Sequence, residues 1–347
     1  MNLEERITSF SGLGEVLLNY FTGKGGSYSQ IINNLIIDQE KKNPWFTPSN
    51  VRMAMKVIAD ELTFENLTRW TDAYPAINEN ITPVRVGVIM AGNIPLVGFH
   101  DYLSVLISGN SVIAKTSSKD AELIVHLSEI LCSINPAFSK KIRFTEGILS
   151  DFDAVIATGS DNSSRYFEYY FGKYPHIIRK NRNSIAIIDG EETNQELENL
   201  GTDIFSYFGL GCRNISKVYL PEGYDVHTMI KNWTRYSDVI LHSKYANNYD
   251  YNMAVYLVNK EKFLDTGYML LKESAEISSP VSVLFYEFYK SEESLALKIN
   301  SLNDKIQCIT GRKYIPFGKS QFPRLWDYAD NIDTLDFLLK KNVSGIL

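Results

Sequence analysis

The stretch VRVGVIMAGNIPLVGFHDYLSVLISGNSVIAK, residues 84–115, decides the fold class. It opens with the apolar run VRVGVIM (84–90), continues into a helical pattern at NIPLVGFHDYLSVLI, and ends in the strand pattern SVIAK (111–115). Strand, helix and strand in this order predict a βαβ unit with parallel strands.

The alternation continues on both sides of this stretch. DAELIVHLSEILCSI (120–134) is typical of a helix, and DAVIAT (153–158) is typical of a strand that opens onto a helix at SDNSSRYFEYYF. Before residue 80, QIINNLIIDQ and VRMAMKVIADELTFENLTRW repeat apolar residues at three and four positions, which predicts helices. We therefore expect residues 1–190 to form a helical segment followed by an α/β domain.

A second series of elements begins at SIAIID (184–189). A helix is expected at NQELENLGTDIFSYF, a strand at KVYLP (217–221) and another helix at 226–242. AVYLV (254–258), VSVLFYEFY and KIQCIT are predicted to be strands, with a helix at ESLALKINSLN between the last two. This pattern predicts a second α/β domain over residues 191–320 and a C-terminal tail, 321–347, that packs back on the first domain.

Composition restricts the class of protein. The 347 residues carry a net charge of −6 with scattered lysines and arginines, which argues against a nucleic-acid partner. The start MNLEERITSF has no signal-peptide core, and no apolar run is long enough to span a membrane, so a cytoplasmic protein is expected. The three cysteines form no CxxC pair and the five histidines lack metal-ligand spacing, which predicts no metal.

One of the cysteines stands apart. Cys132 and Cys308 fall within periodic elements and are interpreted as small buried hydrophobic residues. Cys212 lies in a turn, YFGLGCRNIS (207–216), where Gly209 and Gly211 permit positive φ or close approach of a ligand. The local sequence alone leaves a catalytic and an inert cysteine both open.

From about residue 83 to 340, the order of segments resembles the aldehyde dehydrogenase superfamily, and in particular its LuxC-type long-chain acyl-CoA reductases. The similar stretches are VGVIMAGNIPLVGF, GNSVIAKTSSKD, VIATGSD, FSYFGLGCRNISKVYL and EISSPVSVLFYEF. The resemblance implies an aldehyde dehydrogenase-like fold, two doubly wound α/β domains with a cofactor and substrate cleft between them. It also implies that the α/β domain within residues 1–190 binds a nicotinamide cofactor and that the domain of residues 191–320 is the catalytic one, which carries the nucleophilic cysteine.

The resemblance also implies catalytic roles for two residues. Cys212 matches the family nucleophile, whose thiolate would attack the acyl carbonyl and form an acyl-enzyme. Asn93 matches the oxyanion donor, which would act together with the backbone N–H of Cys212. By its residue type alone, Asn93 could equally be a turn residue that caps the following helix.

Five further residues match cofactor contacts of the superfamily. Lys115 matches the lysine that binds the adenosine ribose, with Ser117 beside it, and Glu276 matches the glutamate that orients the nicotinamide ribose. Gly159 and Ser160 match the turn where a helix N-terminus meets the pyrophosphate. Asp161 and Ser278 depart from the family pattern.

The lack of a carboxylate in one stretch favours the reductase branch of the superfamily. Hydrolytic relatives activate water with a glutamate, whereas the matching stretch HIIRKNRNSIAII (176–188) has no carboxylate. An acyl-cysteine that water attacks slowly suits acyl exchange with CoA. The basic residues Arg179, Lys180 and Arg182 in this stretch are interpreted either as a solvated loop or as a clamp for a phosphate of CoA or NADP.

The sequence thus predicts an NAD(P)H-dependent acyl-CoA reductase that forms a fatty aldehyde through a thioester intermediate. Its partners would be an acyl-CoA, with a long chain implied by the resemblance, and NADPH or NADH. The sequence leaves a homodimer and other subunit numbers open. Two alternatives remain at this stage, a non-catalytic descendant of the fold that binds a nucleotide or a partner, and a cysteine acyltransferase or thioesterase.

Overall fold

The computed structural model describes residues 1–78 and 82–340, and of Asp161 only the backbone. These residues form two compact units. The first consists of Met1–Lys180 together with residues 324–340, and the second is Asn181–Pro323. The domain boundaries predicted near 190 and 320 stay predictions.

The first unit begins with four helices, as the sequence predicted. They are α1 (Leu3–Phe21), α2 (Ser29–Lys42), α3 (Pro48–Glu61) and α4 (Phe64–Asp72). A capping box between Asn2 and Glu5 starts α1, and threonine caps start α3 and α4. α1 packs so closely on the end of α3 that a Cβ at Gly14 would lie 2.4 Å from the Leu62 carbonyl oxygen, so this contact requires glycine.

A five-stranded parallel sheet forms the centre of the first unit. Its strands are β1 (Arg85–Ile89), β2 (Ser111–Lys115), β3 (Ile142–Thr145), β4 (Ala154–Thr158) and β5 (His176–Arg179), in the order β3-β2-β1-β4-β5. Helices α5 (Phe99–Ile107), α6 (Glu122–Ile134) and α7 (Asp161–Phe171) connect the strands. All four strand pairings are parallel, which confirms the sequence prediction.

Residues 324–340 pack on the first unit through buried polar contacts. The indole N–H of Trp70 donates to the Tyr328 hydroxyl at 2.7 Å, and the Tyr74 hydroxyl donates to Asp333 Oδ2 at 2.7 Å. The guanidinium of Arg179 donates to both carboxylate oxygens of Asp101, at 3.1 and 2.7 Å. The same guanidinium also binds the carbonyl of Ala329 and the hydroxyl of Thr334, the first residue of a short last helix, Thr334–Leu339.

This network predicts that Arg179→Met destabilises the protein strongly. The Arg179 side chain is 3% exposed, and its removal would leave the buried carboxylate of Asp101 without its cation, at a cost of about 3–5 kcal/mol in the free energy of unfolding. Denaturant unfolding of both proteins measures it. Arg85→Met is the matched control, because Arg85, the first residue of β1, also pairs with an aspartate, Asp153, but at the surface. An equal loss of stability in the two variants would contradict the prediction.

The second unit is built on a six-stranded sheet. Its strands are β6 (Asn183–Ile187), β7 (Ile215–Pro221), β8 (Leu264–Asp265), β9 (Leu270–Glu273), β10 (Val283–Tyr289) and β11 (Ile306–Thr310), in the order β11-β6-β7-β10-β9-β8. Only the short β8 is antiparallel to its neighbour. The helices of this unit are α8 (Asn194–Phe205), α9 (Val226–Ile230), α10 (Ser243–Val258) and α11 (Glu292–Ser301), and a 3₁₀ segment, Lys231–Leu241, follows α9.

One predicted strand is wrong. AVYLV (254–258) forms the last turns of α10 and not a strand. The buried residues of α10 are Tyr245, Tyr249, Asn252 and Tyr256, which recur at four, three and four positions and lie on one helical face. Five apolar letters at the end of a helix cannot be distinguished from a buried strand by pattern alone.

No described helix is both long enough and apolar enough to cross a lipid bilayer.

Candidate active site

Asn93 lies in the turn that leads from the carboxyl end of β1 into α5. Within this turn, Leu96 has φ 58°, a left-handed conformation that a non-glycine residue keeps only when its surroundings enforce it. Gly92 packs so tightly on the loop after β2 that a Cβ there would lie 2.5 Å from Ser117 Oγ. The helix predicted from Asn93 therefore begins only at Phe99, and the turn before it follows one constrained path.

Asp120 holds this turn from the loop after β2. Its Oδ2 accepts the backbone N–H of Leu96 at 2.7 Å. The residue is 6% exposed, and burial raises the pKa of Asp120 to about 7 although the Leu96 hydrogen bond lowers it in part. Its other oxygen, Oδ1, is buried and has no hydrogen-bond partner within residues 1–78 and 82–340.

Lys115 and Ser117 lie on the same edge of the sheet. Lys115 is the last residue of β2, and its ammonium group donates to the carbonyl of Gly147 at 2.5 Å. The hydroxyl of Ser117 accepts the backbone N–H of Lys119 at 3.2 Å. Both side chains are partly exposed, so each can exchange its present partner for a polar ligand.

Gly159 and Ser160 form the turn between β4 and α7. The Ser160 hydroxyl caps α7 by accepting the N–H of Ser163 at 3.3 Å. A Cβ at Gly159 would lie 2.8 Å from both Phe167 and Ser163, so only glycine permits the helix to pack this closely on the strand. The side chain of Asp161, the predicted departure, lies outside what the structure describes.

Strand order brings these residues of the first unit to one edge. β1 has β2 on one side and β4 on the other, so the chain changes direction across the sheet at β1. In an open parallel sheet, ligands bind outside the carboxyl ends of the strands at such a switch point. Five predicted site residues end or follow the strands β1, β2 and β4 at this edge, namely Asn93, Lys115, Ser117, Gly159 and Ser160.

In the second unit, Cys212 lies in a strained loop between α8 and β7. Tyr207, Phe208 and Gly209 have φ values of 51°, 57° and 78°, which makes three successive left-handed residues. Asn214 holds the loop in this form. Its side-chain oxygen accepts the N–H of Gly211 at 2.9 Å, and its amide group donates to backbone carbonyls of residues 203, 204 and 206. Such strain concentrates at functional sites when the surroundings enforce it.

A buried serine fixes the backbone of Cys212 itself. The Ser184 hydroxyl, on β6, donates to the carbonyl oxygen of Cys212 at 2.9 Å. Ser184 in turn accepts the backbone N–H of Cys308 at 3.2 Å. Ser184 is fully buried, whereas Cys212 is half-buried. The main chain of Cys212 is thus anchored in the core of the unit while the residue keeps access to solvent.

The other two cysteines have different surroundings. Cys308 is buried in β11, as predicted. Cys132 is only partly buried at the end of α6, and burial raises the pKa of its thiol. A higher pKa leaves less of the thiolate that nucleophilic attack requires.

Glu276 lies in the segment that connects β9 to β10, and it is exposed. Ser216, on β7, donates through its hydroxyl to the carbonyl of Ile277 at 2.7 Å, which ties this segment to the strand that follows Cys212. Gly209 and Gly211 of the cysteine loop and residues 279–283 of this segment line one cavity of about 60 Å³. The second unit therefore brings together the two stretches that carry Cys212 and Glu276.

One residue of the basic stretch, Arg179, fits neither interpretation. Arg179 is neither solvated nor available to a phosphate, because it is buried at the end of β5 and paired with Asp101. Lys180 is exposed beside Glu168, and Arg182 donates to the carbonyls of Asn303 and Ile306 in the second unit. The phosphate clamp is therefore wrong for Arg179.

Comparison with known proteins gives the family. The acyl-CoA reductase (LuxC) family model matches residues 52–279, which is more than half of the chain. The chain belongs to the acyl-CoA reductase (LuxC) family. The predicted enzyme class, an NAD(P)H-dependent acyl-CoA reductase, is thereby confirmed. A comparison with curated proteins finds no match.

Solved aldehyde dehydrogenases share the fold of this reductase. Aldehyde dehydrogenase 21 from Physcomitrella patens, in complex with the reaction product succinate, is 13% identical with a TM-score of 0.64, and the match covers 90% of this chain and 74% of that one. The Mycobacterium tuberculosis aldehyde dehydrogenase complexed with NAD⁺ is 14% identical, with a TM-score of 0.63 and coverages of 86% and 71%. An NAD⁺ complex from Bacillus cereus is 13% identical, with a TM-score of 0.62 and coverages of 89% and 72%. The predicted aldehyde dehydrogenase-like fold is confirmed.

The sequence missed the residues that hold the site in place. Ser184 opens an apolar strand pattern and Asn214 follows Cys212 by two positions, and no role was predicted for either residue from the sequence. Asp120 ends the stretch GNSVIAKTSSKD and begins a predicted helix, and neither pattern gives it a role, whereas the structure has its carboxylate on the Asn93 turn. These contacts join segments that are distant in sequence, and only the folded backbone shows them.

Proposed function

We propose that this reductase converts a long-chain fatty acyl-CoA to the aldehyde through an acyl-enzyme on Cys212. The observation that carries the proposal is the Cys212 loop, whose backbone is fixed by Ser184 and Asn214 and whose cysteine is half-buried. A nucleophile needs this combination of rigid support and access. Neither Cys132, with its raised pKa, nor the buried Cys308 offers it.

The first half of the reaction uses residues of the chain alone. The Cys212 thiolate attacks the thioester carbonyl, the bond to the CoA sulfur breaks, and CoA leaves as a thiol with the proton that Cys212 gave up. Asn93 is proposed to donate its side-chain N–H₂ to the oxyanion of the tetrahedral intermediate. The backbone N–H of Cys212 is proposed as the second donor.

The carboxyl edge of the first sheet fits a nicotinamide dinucleotide. Gly92 and Gly159 allow no side chain there, the edge is the switch point of the sheet, and α7 directs its N-terminus to it. Lys115 and Ser117 are proposed to hold the ribose, and Gly159 and Ser160 the pyrophosphate. Because the Ser160 hydroxyl caps α7, backbone N–H groups are the expected anion donors. Glu276 is proposed to orient the nicotinamide ribose.

A nicotinamide bound by these residues would supply the hydride that reduces the acyl thioester. Cys212 then leaves as the thiolate from the resulting thiohemiacetal, and the aldehyde is released. Residues 176–188 place no carboxylate in the stretch where hydrolytic relatives carry their general base. The acyl-enzyme should therefore form little carboxylic acid.

Product stoichiometry tests the proposal. The protein is mixed with acyl-CoAs of graded chain length and with NADPH or NADH, and free CoA, oxidised cofactor and aldehyde are measured. We expect the three products in equal amounts, with the highest kcat/KM for long chains. Release of CoA without cofactor oxidation would instead assign the protein as an acyltransferase or thioesterase. The absence of all products would overturn the proposed function.

A further inference from the structure

We infer that Asp120 is a positioning residue for the oxyanion donor, acting through the turn that carries Asn93. The inference rests on the proposed function, because it assumes that Asn93 serves the reaction. Its structural basis is the hydrogen bond from the Leu96 N–H to Asp120 Oδ2 at 2.7 Å. Leu96 is three residues beyond Asn93 in the same turn.

The turn needs such a holding contact. A left-handed leucine is strained and returns to an ordinary conformation unless a contact opposes it. A different φ at Leu96 would redirect the chain between β1 and α5 and so move the amide of Asn93. The close packing of Gly92 on Ser117 fixes the other end of the turn, so Asp120 and Ser117 hold it from the same loop.

Stability alone does not explain an aspartate at position 120. It is 6% exposed, and its second oxygen is buried with no partner among the described residues. A buried carboxylate with an unsatisfied oxygen destabilises a fold. Buried groups of this kind in a native protein need a reason, and the strained turn beside the proposed oxyanion donor provides one.

Hydrogen exchange and kinetics test the inference together. In Asp120→Ala, the backbone amides of residues 91–98, apart from Pro95, which has none, should exchange faster than in the wild type. Asp120→Asn keeps an acceptor and should retain the protection. The value of kcat should fall about 10- to 100-fold in Asp120→Ala, as small displacements of catalytic groups do. KM for acyl-CoA should stay within about threefold, because the lost interaction belongs to the transition state. Asp120→Asn should restore most of kcat.

A double variant separates positioning from general stability. If Asp120 acts through Asn93, then Asp120→Ala should add little to the loss that Asn93→Ala already causes, because coupled residues are not additive. Ser128→Ala is the control, since Ser128 lies on α6 and its replacement removes a buried hydrogen bond to the Tyr102 hydroxyl of α5, not a contact of the turn. It should leave both the exchange of residues 91–98 and kcat unchanged.

Two results would overturn the inference. One is unchanged exchange of residues 91–98 in Asp120→Ala, and the other is a loss of kcat that multiplies fully with that of Asn93→Ala. A wild-type protein that reduces no acyl-CoA would refute the proposed function. The exchange measurement would even then decide whether Asp120 positions the turn.

Discussion

Replacement of Cys212 by alanine should reduce acyl-CoA reduction by roughly 10³-fold or more, because the acyl-enzyme can no longer form. The unfolding midpoint should change little, since the anchor from Ser184 binds the backbone carbonyl of residue 212 and not its side chain. Steady-state assays of CoA release and cofactor oxidation, together with thermal unfolding, measure the two effects. Both CoA release and cofactor oxidation should be lost together.

Cys132→Ala is the matched control for this prediction. Cys132 is also a partly exposed thiol, but it lies at the end of α6 and its pKa is raised by burial. Its replacement should leave the reductase activity within about twofold, as expected of a surface substitution away from the site. A Cys212→Ala enzyme that keeps wild-type activity would show that another group accepts the acyl chain.

Asn93→Ala should lower kcat by about 10²–10³-fold, the usual effect of removing one oxyanion donor. KM for acyl-CoA should change much less, because the amide would bind the oxyanion and not the ground-state carbonyl. Asn93→Asp tests the same contact at nearly constant size, since it replaces the donor N–H₂ by an acceptor. It should be at least as inactive as the alanine variant.

Asn135→Ala serves as the control for this second prediction. Asn135 is an asparagine of the same unit that caps the 3₁₀ turn after α6 and binds Ser9, remote from the β1 turn in sequence. Its replacement should reduce stability modestly and leave kcat unchanged. A large fall in kcat for Asn135→Ala, or an unchanged kcat for Asn93→Ala, would contradict the oxyanion role of Asn93.

Three strands of the first sheet were predictable because buried parallel strands have a simple signature. VRVGVIM, SVIAK and DAVIAT are apolar runs bounded by turn residues, and each forms a strand of the first sheet. The two edge strands of this sheet, β3 and β5, were not predicted, because their sequences IRFT and HIIR mix charged and apolar residues. AVYLV failed for the opposite reason, since a short apolar run carries no period of its own.

Resemblance to family motifs nominated the site residues, but it did not identify the residues that hold them in place. Residue type and order suffice to nominate Cys212 or Asn93, because these residues act through their own side chains. Ser184, Asn214 and Asp120 act on the backbone of other residues, from 28 positions away in the case of Ser184 and 24 in that of Asp120. Arg179 shows the same limit, since its buried partner Asp101 is 78 residues distant. A charge pattern cannot distinguish such a pair from a solvated loop.

The most direct test of the account is the mass of the acylated peptide. The protein is incubated with a long-chain acyl-CoA in the absence of nicotinamide cofactor, quenched in acid, digested and analysed by mass spectrometry. The account predicts one acyl group in thioester linkage on the peptide that contains Cys212, and its disappearance as aldehyde when NADPH or NADH is added before the quench. An unmodified Cys212, or an acyl group on Cys132 or Cys308 instead, would contradict it.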